Sequence, residues 1–140
     1  MAANVRTPTE DLGSESGIVR GLPHLLLRTE GAALFALALA LYWQFGASWI
    51  FFAVLLLAPD VGILGYVRGN RVGALVYDLF HTYLPPAVLA IVGVLTEAPM
   101  MYPLGLVWLA HIGMDRALGY GLKYPTGFRH THLGWIGRGR

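Results

Sequence analysis

The stretch that decides the fold is WLAHIGMDRALGYGLKY, residues 108–124. It begins as an apolar helix and then carries His111, Asp115, Arg116 and Lys123. Ionisable side chains inside an apolar segment are costly in lipid, so they face other polar groups or a membrane surface. The stretch therefore predicts a membrane helix with a polar site near one surface of the bilayer.

The composition of the whole chain also places it in lipid. Of the 140 residues, 56% are apolar and 13% are charged, whereas about 25% of residues are charged in soluble domains. The net charge of +2 is small, and the basic residues of the chain are not gathered along one face of any helix. Both features argue against nucleic-acid binding. Because the chain has no cysteine, thiolate catalysis and cysteine-ligated metal sites are excluded.

Apolar runs predict an all-α integral membrane bundle of four transmembrane helices. The predicted spans are residues 31–45, 49–66, 72–95 and 100–121, within a transmembrane domain over residues 22–121. A disordered N-terminal tail, residues 1–21, and a polar C-terminal tail, residues 122–140, are expected to flank this domain. In the third span, Pro85-Pro86 predicts a kink whose freed carbonyls must be satisfied by neighbouring helices.

The positive charges predict the orientation of the bundle. Four spans put both termini on the same side of the membrane, and the loop at residues 68–71 lies on that side too. All ten Lys and Arg are on this side. The positive-inside rule then places both termini in the cytoplasm.

Six ionisable residues fall at a similar depth in the predicted spans: Glu30, Asp60, Asp78, His81, His111 and Asp115. Each one costs at least about 2.5–3.5 kcal/mol in hydrocarbon, so they are expected to face one another in a single cluster. The spacing agrees, because His111 and Asp115 are four residues apart and share a helix face. On another face of the same helix, small residues at Gly113, Ala117 and Gly121 predict close helix packing.

Two imidazoles and several carboxylates suit a hard or borderline divalent cation such as Zn²⁺, Mn²⁺ or Mg²⁺. The predicted metal ligands are Asp60, His81, His111 and Asp115. Glu30 and Asp78 are the predicted catalytic carboxylates, with Glu30 as a proton acceptor. Arg116, Lys123 and Arg129 are predicted to hold a phosphate or another headgroup anion.

These residues also have plain structural interpretations. His111 and Asp115 can form a pair that only orients the helix, and Asp60 can cap a helix after a proline. His81 can bond a carbonyl freed by the proline pair.

The remaining ionisable residues have plainer interpretations still. Glu30 and Asp78 can pair with nearby arginines or face water. The histidines His24, His130 and His132 lie in segments that are expected to be exposed.

Three motifs resemble those of a family of small bacterial membrane proteins known as domain of unknown function 4260. They are APDVGILGY (residues 58–66), YDLFHTYLPP (residues 77–86) and WLAHIGMDRALGYGLKYPTGFRHTHLG (residues 108–134). The resemblance covers residues 28–134 and implies a multi-pass protein of the bacterial inner membrane, with no activity attached.

A weaker resemblance, to membrane-bound metal-dependent hydrolases, implies a chemistry. That family carries a Pro-Asp motif, a His motif and a Ser-His-x-x-x-Asp helix, and Asp60, His81, His111 and Asp115 stand in the same order. The resemblance implies that these four are metal-site positions. Gly62 stands where the family has a second acidic residue, and a single histidine stands where it has two, which implies a smaller ligand set.

The sequence favours a metal-dependent hydrolase that acts on a lipid headgroup or another amphiphile at the cytoplasmic face. One alternative is a haem protein with His81 and His111 as axial ligands. Another is a non-enzymatic ion or proton relay, or an assembly partner. Because the chain is short, a relay is expected to form a homo-oligomer.

Overall fold

The structure is a computed structural model that describes residues 17–137. Its helices are α1 (Gly21–Phe45), α2 (Trp49–Leu55), a 3₁₀ helix (Ala58–Arg68), α3 (Asn70–Phe80), α4 (Leu84–Leu95) and α5 (Met101–Leu118). Strands β1 (His130–Thr131) and β2 (Gly134–Trp135) then form an antiparallel hairpin. Of the predicted disordered tail, residues 1–16 lie outside the described residues.

Within residues 17–137, three helical segments are long and apolar enough to cross a membrane: Gly21–Phe45, Trp49–Arg68 and Asn70–Leu95. The fourth helix, α5, has 18 residues and reaches about 27 Å at 1.5 Å per residue, slightly less than the roughly 30 Å of hydrocarbon. The chain is therefore a helical membrane protein, as predicted.

Two helix ends differ from the predicted spans by three residues or more. Helix α1 begins at Gly21, whereas the predicted span begins at residue 31, so the helix also includes residues 21–30. Helix α5, which corresponds to the fourth predicted span, ends at Leu118 instead of residue 121. Gly119 adopts a left-handed conformation (φ 95°) that ends the helix.

Helix α5 lies at the centre of the bundle, with α1 and α4 packed along it. Ten of its 18 residues are buried. The apolar core comprises Ala38, Tyr42, Phe52, Leu106, Val107 and Ala110. The core residues of α5 all precede His111. The polar residues from His111 onward therefore lie toward the C-terminal end of this helix.

Helices α1 and α5 cross at a contact between two glycines. A Cβ on Gly113 would lie 2.8 Å from both Gly31 O and Phe35 N, so no side chain fits there. The predicted small-residue face thus packs at Gly113. Gly121, by contrast, lies beyond the helix, and a Cβ there would lie 2.7 Å from His132 Nδ1.

The second membrane segment changes from α helix to 3₁₀ helix at Ala58. Pro59, Gly62 and Gly65 recur every three residues, and a helix of three residues per turn places them on one face. A Cβ on Gly65 would lie 2.8 Å from Val76 Cβ, so this small face lets α3 approach closely. The residues around Pro59 are therefore held against α3.

The third segment bends between α3 and α4, as the proline pair predicts. Pro85 has no N–H to donate to His81 O, and Arg116 Nη2 donates to that oxygen instead, at 3.0 Å. Trp108 Nε1 donates to Phe80 O at 2.6 Å. Because α5 satisfies both carbonyls, the break is tolerated inside the bundle.

The residues after α5 form a folded unit, here called the C-terminal cap (residues 121–137). Tyr124 N donates to His130 O at 2.9 Å, and the N-terminal segment joins the cap through Val19 N to His132 O at 2.8 Å. Tyr124 Oη also donates to Gly17 O at 2.7 Å. The expectation that His130 is exposed is wrong, because only 3% of it is accessible.

Candidate metal centre

The structure brings together the four side chains predicted as metal ligands. One atom each from Asp60, His81, His111 and Asp115 lies within 4.8 Å of the others. Both histidines and Asp115 are buried, and the Asp60 side chain is 38% exposed. The four residues come from three different membrane segments, so only the folded bundle assembles them.

The distances within this cluster match those of a coordination shell. His81 Nε2 and His111 Nε2 are 3.0 Å apart. Asp60 Oδ1 lies 3.5 and 3.7 Å from these nitrogens, and Asp115 Oδ2 lies 3.6 and 3.7 Å from them. A tetrahedral site with metal–ligand bonds of about 2.0–2.1 Å has edges of about 3.3–3.4 Å. The five observed distances bracket that edge, so the four atoms could hold one divalent ion.

The two histidines differ in the hydrogen bonding of their Nδ1 atoms. His81 Nδ1 lies 2.9 Å from Tyr77 O, and because a carbonyl only accepts, Nδ1 carries the proton and Nε2 presents its lone pair to the cluster. Metal-ligating histidines commonly show this arrangement. His111 Nδ1 is buried without a hydrogen-bond partner among residues 17–137.

Tyr77 supports two of the four ligands and was not singled out from the sequence. Its ring stacks on His81 with centroids 3.6 Å apart and an interplanar angle of 9°. Its hydroxyl donates to Asp115 Oδ2 at 3.3 Å. The four-residue spacing from Tyr77 to His81 is the sequence signal that could have found this contact.

The charge of the cluster also favours a cation. Two carboxylates, Asp60 and Asp115, lie close together, and Asp115 is buried. Burying like charges is costly unless an opposite charge compensates them. A divalent ion would neutralise both.

Glu30 and Asp78 lie outside this cluster, so the expectation of one six-member cluster is wrong. Asp78 Oδ1 accepts a hydrogen bond from Lys123 N at 2.7 Å. Glu30 is exposed and lines a separate open cleft of about 330 Å³, together with Tyr83 and Arg116.

Of the three basic residues predicted to bind an anion, only Arg129 is exposed. Arg116 is buried, with 6% of its surface accessible. Its guanidinium donates to Tyr120 O at 2.9 Å and to His81 O at 3.0 Å. Arg116 thus holds the backbone at the break in the third segment.

Lys123, the third basic residue, is also buried. Its Nζ lies 4.6 Å from the centre of the Tyr77 ring and 4.0 Å from that of Phe128. Burial lowers the pKa of Lys123 to about 8, against the opposing influence of the Asp115 and Asp78 carboxylates. Lys123 therefore joins the C-terminal cap to the ring that supports the metal centre.

Comparison with known proteins identifies a family. The family model described as Domain of unknown function (DUF4260) matches residues 24–136. No curated protein and no solved structure matches the chain. The resemblance to metal-dependent hydrolases has no support from these comparisons.

Proposed function

We propose that this chain, which belongs to the DUF4260 family, is a membrane-embedded hydrolase that depends on one divalent metal ion. The observation that carries the proposal is the set of donor atoms from Asp60, His81, His111 and Asp115, in which each histidine nitrogen lies 3.0–3.7 Å from the other three atoms. The charge balance of two carboxylates against a divalent ion supports it further.

The donor set favours Zn²⁺ or Mn²⁺ over Mg²⁺. Imidazole nitrogen is a good ligand for zinc and other transition metals, whereas magnesium prefers oxygen. When bound, such an ion supplies a Lewis acid that polarises an ester or phosphoester oxygen.

The reaction we propose is the cleavage of an ester or phosphoester by water. The hydroxyl of water joins the acyl or phosphoryl centre, the ester bond to the departing oxygen breaks, and a proton goes to that oxygen. Of the two acidic ligands, Asp60 has the more exposed side chain, with 38% of it accessible against 10% for Asp115. Substrate therefore approaches the cluster from the side of Asp60. Asp78 holds the C-terminal cap through Lys123 N and has no proton-transfer role in this proposal.

Metal content of the purified protein tests this proposal. Detergent-purified protein exposed to Zn²⁺ or Mn²⁺ and then desalted should retain about one ion per chain by elemental analysis. His111→Ala and Asp115→Ala should each lose it, and Glu30→Gln, which changes an exposed carboxylate outside the cluster, should keep it. Folded wild type that retains no metal would refute the proposal.

Hydrolysis itself needs a separate assay. Chromogenic carboxylic and phosphoric esters with alkyl chains, presented in vesicles, should be cleaved only by metal-loaded protein. Cleavage that is equally fast after chelation would exclude a role for the ion.

The contact between the two imidazoles favours one second candidate, a proton relay. His81 Nε2 and His111 Nε2, 3.0 Å apart, can share a proton. Proton flux into liposomes that persists after chelation, in protein that cleaves none of the esters, would support the relay over the hydrolase. The same contact argues against haem, whose axial ligands lie on opposite faces of the macrocycle and cannot touch.

We further propose that the protein lies in a bacterial inner membrane with both termini in the cytoplasm, because its basic residues lie on that side. The chain has no cysteine, so a single Arg129→Cys substitution reports the side. An impermeant maleimide should label it in inverted vesicles but not in intact cells, and the reverse pattern would contradict this orientation.

A further inference from the structure

An apolar groove of about 170 Å³ lies beside the metal centre, between the second, third and fourth membrane segments. Its walls include Leu55, Ala58, Pro59, Phe80, Leu104 and Trp108. Ala58 is exposed, while Pro59 is buried. The groove therefore runs inward from the outer surface of the bundle.

The groove adjoins the metal centre along the chain. Two of its wall residues, Pro59 and Phe80, directly precede the ligands Asp60 and His81. Trp108 lies three residues before the ligand on α5, about 4.5 Å along the helix axis and on the same face. None of the four cluster residues lines the groove itself, but Trp108 shares a face of α5 with His111, so the groove and the cluster are neighbours along this helix.

The walls of the groove are almost wholly apolar. The one polar side-chain group among the six named residues, the indole N–H of Trp108, already donates to Phe80 O at 2.6 Å. A polar molecule placed there would lose its hydrogen bonds to water without replacement. Hydrocarbon is the matching occupant.

We propose that this groove binds one hydrocarbon chain of a membrane lipid whose phosphoester head lies at the Asp60–His81–His111–Asp115 cluster. The inference rests on the proposed function and names its substrate class. Two of the three segments that form the groove are long and apolar enough to cross a membrane, so a lipid chain can enter sideways without leaving hydrocarbon. The head then meets the donor atoms where the groove ends.

The test uses phosphatidic acid with a photoreactive diazirine in one acyl chain, mixed into vesicles that contain the full-length protein. Ala58→Phe fills the groove from its exposed rim. Ala53→Phe is the matched control, because it places the same ring at an exposed position of α2 that is not among the groove-lining residues. After illumination, peptide mass spectrometry locates the labelled residues.

In the wild type and in Ala53→Phe, labelling should concentrate on the groove residues. Ala58→Phe should reduce groove labelling by about tenfold, which corresponds to a loss of about 1.4 kcal/mol in binding. Labelling spread evenly over all the lipid-facing helices of the wild type, or groove labelling that Ala58→Phe leaves unchanged, would overturn the proposal.

Metal content measured on the same samples separates this proposal from the proposed function. Metal-loaded wild type with even labelling refutes the groove alone. Concentrated groove labelling in protein that binds no metal refutes the hydrolase alone. If Ala58→Phe loses its metal as well, the labelling pattern of the wild type decides.

Discussion

Tyr77 makes three contacts with the Asp60–His81–His111–Asp115 cluster, the candidate metal centre. Its carbonyl oxygen accepts from His81 Nδ1, its ring stacks on His81, and its hydroxyl donates to Asp115 Oδ2. Second-sphere contacts of this kind set the orientation of ligands and change metal affinity about 10–100-fold when they are removed.

Tyr77→Phe tests the contact with Asp115 alone, because the ring and the carbonyl remain. We expect metal affinity to fall by about tenfold, the lower end of the usual range, since the hydroxyl bond is long at 3.3 Å. Chelator competition measures the dissociation constant. Tyr66→Phe is the control, because its buried hydroxyl has no partner among the described residues. Equal affinities in the two variants would show that Asp115 does not depend on Tyr77.

Lys123 permits a direct test of burial, because it is the only lysine in the chain. A lysine labelled with ¹³C at the ε carbon should titrate near pH 8 by NMR in metal-free protein, below the ordinary value of 10.5. The unfolded chain holds this proton more tightly, so stability should rise as the pH increases from about 8 to 10.5. An NMR titration midpoint near 10.5 would instead show that the Lys123 side chain is exposed to water in the folded protein.

At the scale of helices, α1 and α5 approach each other closely where they cross. Gly113 meets the backbone of α1 at Gly31 and Phe35, so the distance between the two helices is set by the absence of a side chain. Both His111 and Asp115 lie two residues from Gly113 on α5. The crossing therefore fixes the rotation of the helix that carries His111 and Asp115, half of the proposed metal ligands.

Gly113→Ala should destabilise the protein. In an isolated helix this change favours folding by about 1 kcal/mol. Here the added Cβ would lie 2.8 Å from backbone atoms, and such overpacking typically costs about 1–3 kcal/mol. Thermal unfolding in detergent should show a lower midpoint for Gly113→Ala and no such loss for Ala36→Leu, an exposed position on α1. A raised midpoint for Gly113→Ala would contradict the close crossing.

The break in the third segment positions His81. Helix α3 ends at Phe80 and the chain bends at residues 81–83, where His81 lies fully buried. The carbonyls freed there are bonded by Trp108 and Arg116 of α5. The same two contacts that repair the break therefore hold His81 against the helix that carries His111.

At the scale of the whole molecule, the protein is apolar outside and encloses a polar cluster beside its apolar core. Large apolar side chains such as Ile50, Val67 and Leu95 are 77–87% exposed, whereas the two ligand histidines are buried. Water-soluble proteins rarely expose such large apolar areas. Lipid is the solvent that fits this exterior, and it leaves the ionisable residues to satisfy one another inside.

The sequence by itself determined the membrane class, the approximate helices and the residues able to bind an ion. A helix in lipid satisfies its own backbone, so apolar length alone predicts it. The pairing of His111 with Asp115 on one face follows from four-residue spacing. The cost of charge in hydrocarbon identifies which residues need partners.

Only the tertiary structure decided which of those residues meet. Glu30 and Asp78 lie at depths similar to the other four, but Glu30 is exposed and Asp78 bonds the C-terminal cap. Depth follows from position in the sequence, whereas the rotation of each helix depends on contacts such as Gly31 with Gly113. The cap likewise depends on long-range hydrogen bonds, which local polarity does not encode.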